Sequence, residues 1–413
     1  MEQSLQITDI GINGDGIARL ESGEVVFVPF AAKGDLLLAD VARDADGQYR
    51  AKINSILVKS PNRAPPPCRH FGICGGCALQ HINQNTYQDF KTGQVASALE
   101  KNGVSMPENF QTIFIPHGTR RRANFACRVT KGHAVIGFHE RRSPNIRNVP
   151  DCLLITEELR AAMEAFRPFL PDILGEGQKA DILIQCIEGQ TEIGITGKIA
   201  PGWEAQQALS DALRAMHASR ISIRARDFES YEILLEEKPY YKRFDSLLVN
   251  LAPCAFLQPS EEGERALTQC VMEGADGAIR IADLFCGNGT FTGPLMDRDI
   301  VSADSAPDAI ASLQKAGARA EVRNLFKEPY TAYDLEDRDC VILDPPRAGA
   351  NAQVRMLTES NVQKIVYVSC APQSFSKDAA ELVQGGYVLR KLTLVDQFIW
   401  SSHTEIVGLF EKA

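Results

Sequence analysis

Beyond residue 246 the chain alternates strand-sized apolar runs with helix-sized amphipathic ones, and this constrains the fold more than any other feature. IRIADLF, DIVSAD, DCVILD, KIVYVSC, YVLRKLTLVD and EIVGLF read as strands, with APDAIASLQKAG and SFSKDAAELVQGG as helices between them. Strands joined through helices build a doubly wound α/β sheet, whose ligands sit at the carboxyl ends of the strands. Chemistry in residues 246–413 is therefore expected at the ends of those runs.

Four strand ends carry reactive or permissive residues. Asp283-Leu-Phe-Cys-Gly287-Asn-Gly289-Thr-Phe-Thr-Gly293 follows a strand, and its glycines let the backbone turn tightly beside a ligand. The spacing is G-x-G-x-x-x-G, not the G-x-G-x-x-G of dinucleotide sites, and an acid opens the loop. Asp304 ends the next strand, 17 residues after Gly287, where a carboxylate can accept from two ribose hydroxyls. That combination suits S-adenosylmethionine (SAM) better than NAD. Cys340-Val-Ile-Leu-Asp344-Pro-Pro-Arg347 is a buried strand ending in an acid and two prolines, a loop that presents an acceptor. Cys370 ends the strand Val366-Tyr-Val-Ser-Cys, and His403-Thr-Glu405 precedes the last strand. A thiolate, a carboxylate and a methyl donor in one crevice point to a pyrimidine C5. The thiolate adds to C6, C5 becomes nucleophilic, and a base then removes the C5 proton.

The first 60 residues read as five short strands (LQITDIG and VVFVPF among them) between turns such as Asn13-Gly14-Asp15-Gly16, which predicts a small OB-like β-barrel. A stiff Pro65-Pro-Pro67 linker follows, and residues 86–102 are predicted helical. The whole chain carries a net charge of −9, yet residues 116–150 hold eight basic residues against Glu140 alone. Such segregation predicts a face for RNA phosphates within a mixed α+β central region. No apolar run reaches the ~18 residues of a membrane span. The N-terminus lacks the charged and apolar regions of a signal peptide, so a cytoplasmic, monomeric enzyme is expected.

Eleven cysteines in such a chain are not expected to pair. Cys127, Cys186, Cys254, Cys270, Cys286 and Cys340 stand singly in apolar surroundings and read as core. Cys68, Cys74 and Cys77 fall within ten residues around Gly75-Gly76, which points to metal. The spacing admits zinc or an iron–sulfur cluster, with His70, His81 or Cys152 as the fourth ligand.

Nearly the whole chain resembles the RNA (uracil-5-)-methyltransferases. The motifs are Phe256-Leu-Gln258, Asp283-Leu-Phe-Cys-Gly-Asn-Gly289, Asp344-Pro-Pro-Arg347, Val368-Ser-Cys370-Ala-Pro372 and His403-Thr-Glu405. Residues 1–60, with Ser60-Pro-Asn-Arg63, resemble the TRAM domain, an RNA-binding module. The resemblance implies three parts: a TRAM domain over 1–62, a central domain over 63–245 and a Rossmann-like SAM-methyltransferase domain over 246–413. It makes Cys370 the nucleophile and Glu405 the base, and places Gln258, Phe285, Thr290, Asp304, Asn324 and Asp344 at the SAM site. It further implies a [4Fe–4S] cluster on Cys68, Cys74, Cys77 and Cys152, and a structured RNA as partner, ribosomal rather than transfer RNA. Thr290, Asp304, Ala371 and Ile399-Trp400 depart from the usual residues. The rivals are a 5-methylcytidine transferase, which would carry a cysteine beside Asp344-Pro-Pro-Arg347, and a non-catalytic RNA-binding or redox-sensing protein on the same fold.

Overall fold

In the computed structural model, which describes residues 2–413, the chain packs as two units. The first comprises the described residues up to Ser97 together with Phe138–Val149 and Trp400–His403. Its six-stranded sheet runs in the order Glu2–Gln6, Leu36–Arg43, Tyr49–Val58, Val25–Val28, Gly16–Arg19, Asp9–Ile10. Alternating residues such as Leu5, Val26, Val28, Leu37 and Ala39 point inward and form its core. The Ser60-Pro-Asn-Arg63 turn is tied down by one buried acid. Asp35 accepts from the backbone N–H of Ala32 and Ser60 and from Nε of Arg63. Arg63 also donates to the Phe30 carbonyl. The predicted helix forms as Gln84–Lys101, and Lys91, fully buried on it, donates to the His403 carbonyl.

The second unit comprises Ala98–Gly137, Pro150–Ile399 and Thr404–Ala413. Residues 122–245 contribute a mixed sheet in which Arg122–Thr130, Lys179–Ile187, Gln190–Gly197, Arg220–Arg224 and Glu232–Glu236 lie side by side. The C-terminal sheet has eight strands in the order Ala320–Val322, Asp299–Asp304, Arg280–Leu284, Cys340–Leu343, Lys364–Ser369, Glu405–Lys412, Tyr387–Asp396, Asn109–Phe114. This is the Rossmann-like domain the sequence predicts, with one strand added. Asn109–Phe114, far upstream, pairs in parallel with Tyr387–Asp396, so the sheet is not confined to residues after 246. Ile281, Ala282, Val341, Ile342, Ile365 and Val366 are wholly buried, as expected for parallel strands covered on both faces. Strand order reverses at Arg280–Leu284, whose neighbours are Asp299–Asp304 on one side and Cys340–Leu343 on the other. A crevice therefore opens at the carboxyl ends of these strands. No helix among the described residues is long and apolar enough to cross a membrane.

Candidate active site

The glycine-rich loop leaves the first strand through Phe285, held at φ 64°, a left-handed conformation that costs a side-chain-bearing residue energy. Gly287 then donates its N–H to Asp304 (3.0 Å), and Ala306 donates to the other oxygen of the same carboxylate (2.9 Å). Asp304 so fastens the loop to the second strand and keeps further lone pairs for a ligand. Two glycines are sterically required. A Cβ on Gly289 would come within 2.5 Å of Leu313, at φ +91°, and one on Gly293 within 2.2 Å of the Phe244 carbonyl. Asp283 is fully buried. One of its oxygens accepts from Thr292 (2.6 Å), while the other has no partner. Burial pushes its carboxyl up to about 7.

The remaining predicted cofactor residues fall into distinct positions. Asn288 reaches back to the Phe256 carbonyl (2.8 Å) and leaves its own Oδ1 buried without a partner. The Phe285 ring meets Phe326 at 5.5 Å, and Asn324 caps that turn by accepting from the Phe326 N–H (3.2 Å). Phe326, half-exposed, escaped the sequence reading because no motif marks it. Thr290 lines a cleft of about 410 Å³ with Lys242, Glu264 and Arg265, whereas the loop threonine that reaches the buried acid is Thr292.

Sheet register brings the strand ends that carry Cys370 and Glu405 together. Lys364–Ser369 and Glu405–Lys412 are antiparallel partners, with Ser369 opposite Ile406. One step further along this register, Cys370 lies opposite Glu405. Burial pushes the Cys370 thiol up; the charges of Glu405 and Asp344 push it further, and Arg347 opposes them. Glu405 is 6 % exposed, and burial lifts its carboxyl to about 7 against a hydrogen bond from Gln397. Asp344 is raised well above the ordinary range, by burial first and then by Glu405, Asp283 and Asp304. Burial and neighbouring negative charge thus favour the neutral thiol at Cys370, beside a Glu405 carboxyl lifted to about 7. Gln397 donates to Gln258 (2.9 Å) and to Glu405 (2.5 Å). Behind the proline loop, Asp378 accepts from the Ala350 N–H (2.7 Å) and the Tyr367 hydroxyl (2.5 Å), fixing that loop to the helix Pro372–Gln384 after the nucleophile.

The basic segment divides by depth. Arg121 is buried on Glu264 (2.5 Å) and the Gln258 carbonyl (3.3 Å), and Arg122 lies over the Phe256 ring at 5.0 Å. Arg141 pairs with Asp15 in the first unit. Arg128 and Lys131 are exposed. Cys68, Cys74 and Cys77 are half-buried in the first unit, and Gly76 donates its N–H to the Cys74 sulfur (3.4 Å). Cys152, also half-buried, belongs to the second unit. Among the described residues, no three His, Cys, Asp or Glu side chains converge to hold a metal ion.

The TRAM domain family matches residues 1–53, and the tRNA (uracil-5-)-methyltransferase family matches residues 311–413. An RNA methyltransferase of uncharacterised role from Caulobacter vibrioides is 36% identical over 428 residues, covering 99% of this chain and 100% of its own. The chain belongs to the RNA (uracil-5-)-methyltransferase family. A second relative, the 23S rRNA (uracil(1939)-C(5))-methyltransferase of Halomonas elongata, is 26% identical over 99% of this chain and 89% of its own. The crystal structure of Pyrococcus abyssi tRNA (uracil-54, C5)-methyltransferase with S-adenosyl-L-homocysteine shares the fold at TM-score 0.75. It is 22% identical, with 98% of this chain and 99% of that one aligned. As an RNA (uracil-5-)-methyltransferase the protein draws its methyl group from SAM. The crevice fits that donor: Asp283 and Asn288 keep unpartnered buried oxygens there, and no atom lies within 4 Å of a Cβ built on Gly287.

Proposed function

We propose that this enzyme methylates C5 of a uridine in a structured RNA through a covalent adduct between Cys370 and C6. The cross-strand placement of Cys370 and Glu405 carries the reading. The Cys370 thiol loses its proton to solvent, the thiolate adds to C6, and C5 takes the methyl group of SAM, leaving S-adenosyl-L-homocysteine. Glu405 takes the C5 proton, and the electrons of that C–H bond expel the thiolate and restore the 5,6 double bond. Gln258, Phe285, Thr290, Asp304, Asn324 and Asp344 are the proposed donor contacts, and Thr290 also lines the Lys242 cleft. The uridine must leave its stack to reach Cys370. The TRAM domain and the Halomonas relative favour ribosomal over transfer RNA, and the proposal takes the enzyme to act as a cytoplasmic monomer. The Asp344-Pro-Pro-Arg347 loop lacks the cysteine expected of a 5-methylcytidine enzyme. Mass spectrometry of nuclease-digested RNA, after reaction with methyl-labelled SAM, should show label in 5-methyluridine. Label in 5-methylcytidine, or none with any structured RNA, would sink the proposal.

The same reading assigns Cys68, Cys74, Cys77 and Cys152 to one [4Fe–4S] cluster, supported by the spacing of the first three and by the N–H aimed at the Cys74 sulfur. Polar methyl transfer requires no electron, so the cluster is structural or orients RNA. Protein purified without oxygen is expected to hold about four irons per chain. One zinc and no iron would replace the cluster by a zinc site. Undiminished iron in Cys152→Ala would remove Cys152 from the ligands.

A further inference from the structure

We infer that Gln397 is a positioning residue that clamps the base Glu405 to Gln258, in room made by the missing side chain of Gly263. The inference rests on the proposed role of Glu405 as base. The Gln397 amide nitrogen donates to Oε1 of Gln258 at 2.9 Å and to Oε2 of Glu405 at 2.5 Å. All three side chains are buried: Gln258 is 5 % exposed, Gln397 8 % and Glu405 6 %. The amide oxygen is driven to the other side, against the first turn of the helix Glu261–Gly274, and finds no partner there. Gly263 sits at that point. A Cβ built on it would lie 2.2 Å from the Gln397 Oε1 and 2.9 Å from the Gln397 Cβ. A glycine in the first turn of a helix costs stability relative to alanine, and the room it leaves for this amide accounts for it.

The clamp has a chemical consequence. Glu405 is buried, and the titratable groups whose charges meet it are Cys370 from the neighbouring strand and Asp344 from the proline loop. Burial disfavours the ionised carboxylate, as does each neighbouring negative charge. The amide N–H favours the ionised form. A base must be ionised to take the C5 proton, so Gln397 holds Glu405 in place and keeps it usable near neutral pH. The same nitrogen links the base to Gln258, a proposed SAM contact.

The test is rapid-quench kinetics on ordinary RNA, separating methyl transfer from release of the Cys370 adduct between about pH 5 and pH 9. Gln397→Met keeps the volume and removes the donor. Its methyl transfer should stay within about threefold of wild type, while the low-pH limb of adduct release moves up by about one pH unit. Gly263→Ala touches neither substrate nor base, yet should move the same limb the same way. Glu405→Gln is the reference and should accumulate adduct at every pH. Thermal unfolding confirms that each variant is folded. An unmoved limb in both folded variants, with adduct building up in Glu405→Gln, would overturn the role of Gln397 alone. Absence of adduct in Glu405→Gln would overturn the base assignment and this inference with it.

Discussion

Replacing Cys370 with alanine should lower methyl transfer to uridine by roughly three orders of magnitude or more, because C5 of an unactivated uracil is too weak a nucleophile to take the methyl group. Binding of SAM should survive, since Asp283, Asp304 and the glycine-rich loop are untouched. A 5-fluorouridine RNA makes the assignment direct. Fluorine replaces the proton that Glu405 must remove, so wild-type enzyme should stop as a complex that persists in denaturant and is heavier by one RNA. The alanine variant should form none. A stable complex with Cys370→Ala, or methylation near the wild-type rate, would show that another residue attacks C6.

Glu405→Gln should uncouple the two halves of the reaction. Addition and methyl transfer proceed, the C5 proton stays, and the adduct accumulates on unfluorinated RNA. Multiple turnover should fall by about two to four orders of magnitude, the range expected of a general base. The same substitution should stabilise the resting protein. The Glu405 carboxyl sits at about 7 when folded against 4.5 for an unperturbed glutamate. The folded state therefore binds the proton more tightly. The stability this gives is complete below about pH 4.5 and is lost as pH rises through about 7. A neutral glutamine escapes that loss, so at pH 8 the variant should exceed wild type by up to about 3 kcal/mol. The difference should vanish near pH 4. Urea denaturation at the two pH values measures it, and equal stabilities at pH 8 would show that Glu405 is not held in a charge-averse site. Asp283, raised to about 7 by the same cause, adds a loss of the same sign to both proteins.

Much of this site is legible in the sequence because its parts sit at strand ends. Asp283, Asp344, Cys370 and Glu405 each adjoin an apolar run whose length marks a strand, and the strand–helix alternation places those ends on one edge. Gln397 was not legible. Its role depends on Gln258, 139 residues away, and on a Cβ that Gly263 lacks, and neither leaves a local pattern. The strand Asn109–Phe114 was missed for a related reason. It lies at the sheet edge and is largely half-buried or exposed, so the apolar signal of a central strand is absent. The arginine count over 116–150 registers charge but not depth. It cannot separate Arg121, spent on Glu264, from the exposed Arg128. The isolated cysteines read correctly because a thiol in apolar company behaves as a small hydrophobe. Cys127, Cys186, Cys254, Cys286 and Cys340 are buried with thiols pushed up by burial, and Cys270 is half-buried.

The pairing of Ser369 with Ile406 also governs which length changes the chain can tolerate. Side chains along a strand alternate between faces, so a slip of one residue turns every side chain over. A residue inserted between Ile406 and Lys412 would leave two poor outcomes. Either the apolar residues of the closing strand keep their places and Glu405 is carried one position out of line, or Glu405 stays opposite Cys370 and Val407 and Phe410 exchange faces with their neighbours. The stretch from Glu405 to Lys412 therefore works as a ruler of fixed length, with Glu405 as its zero mark.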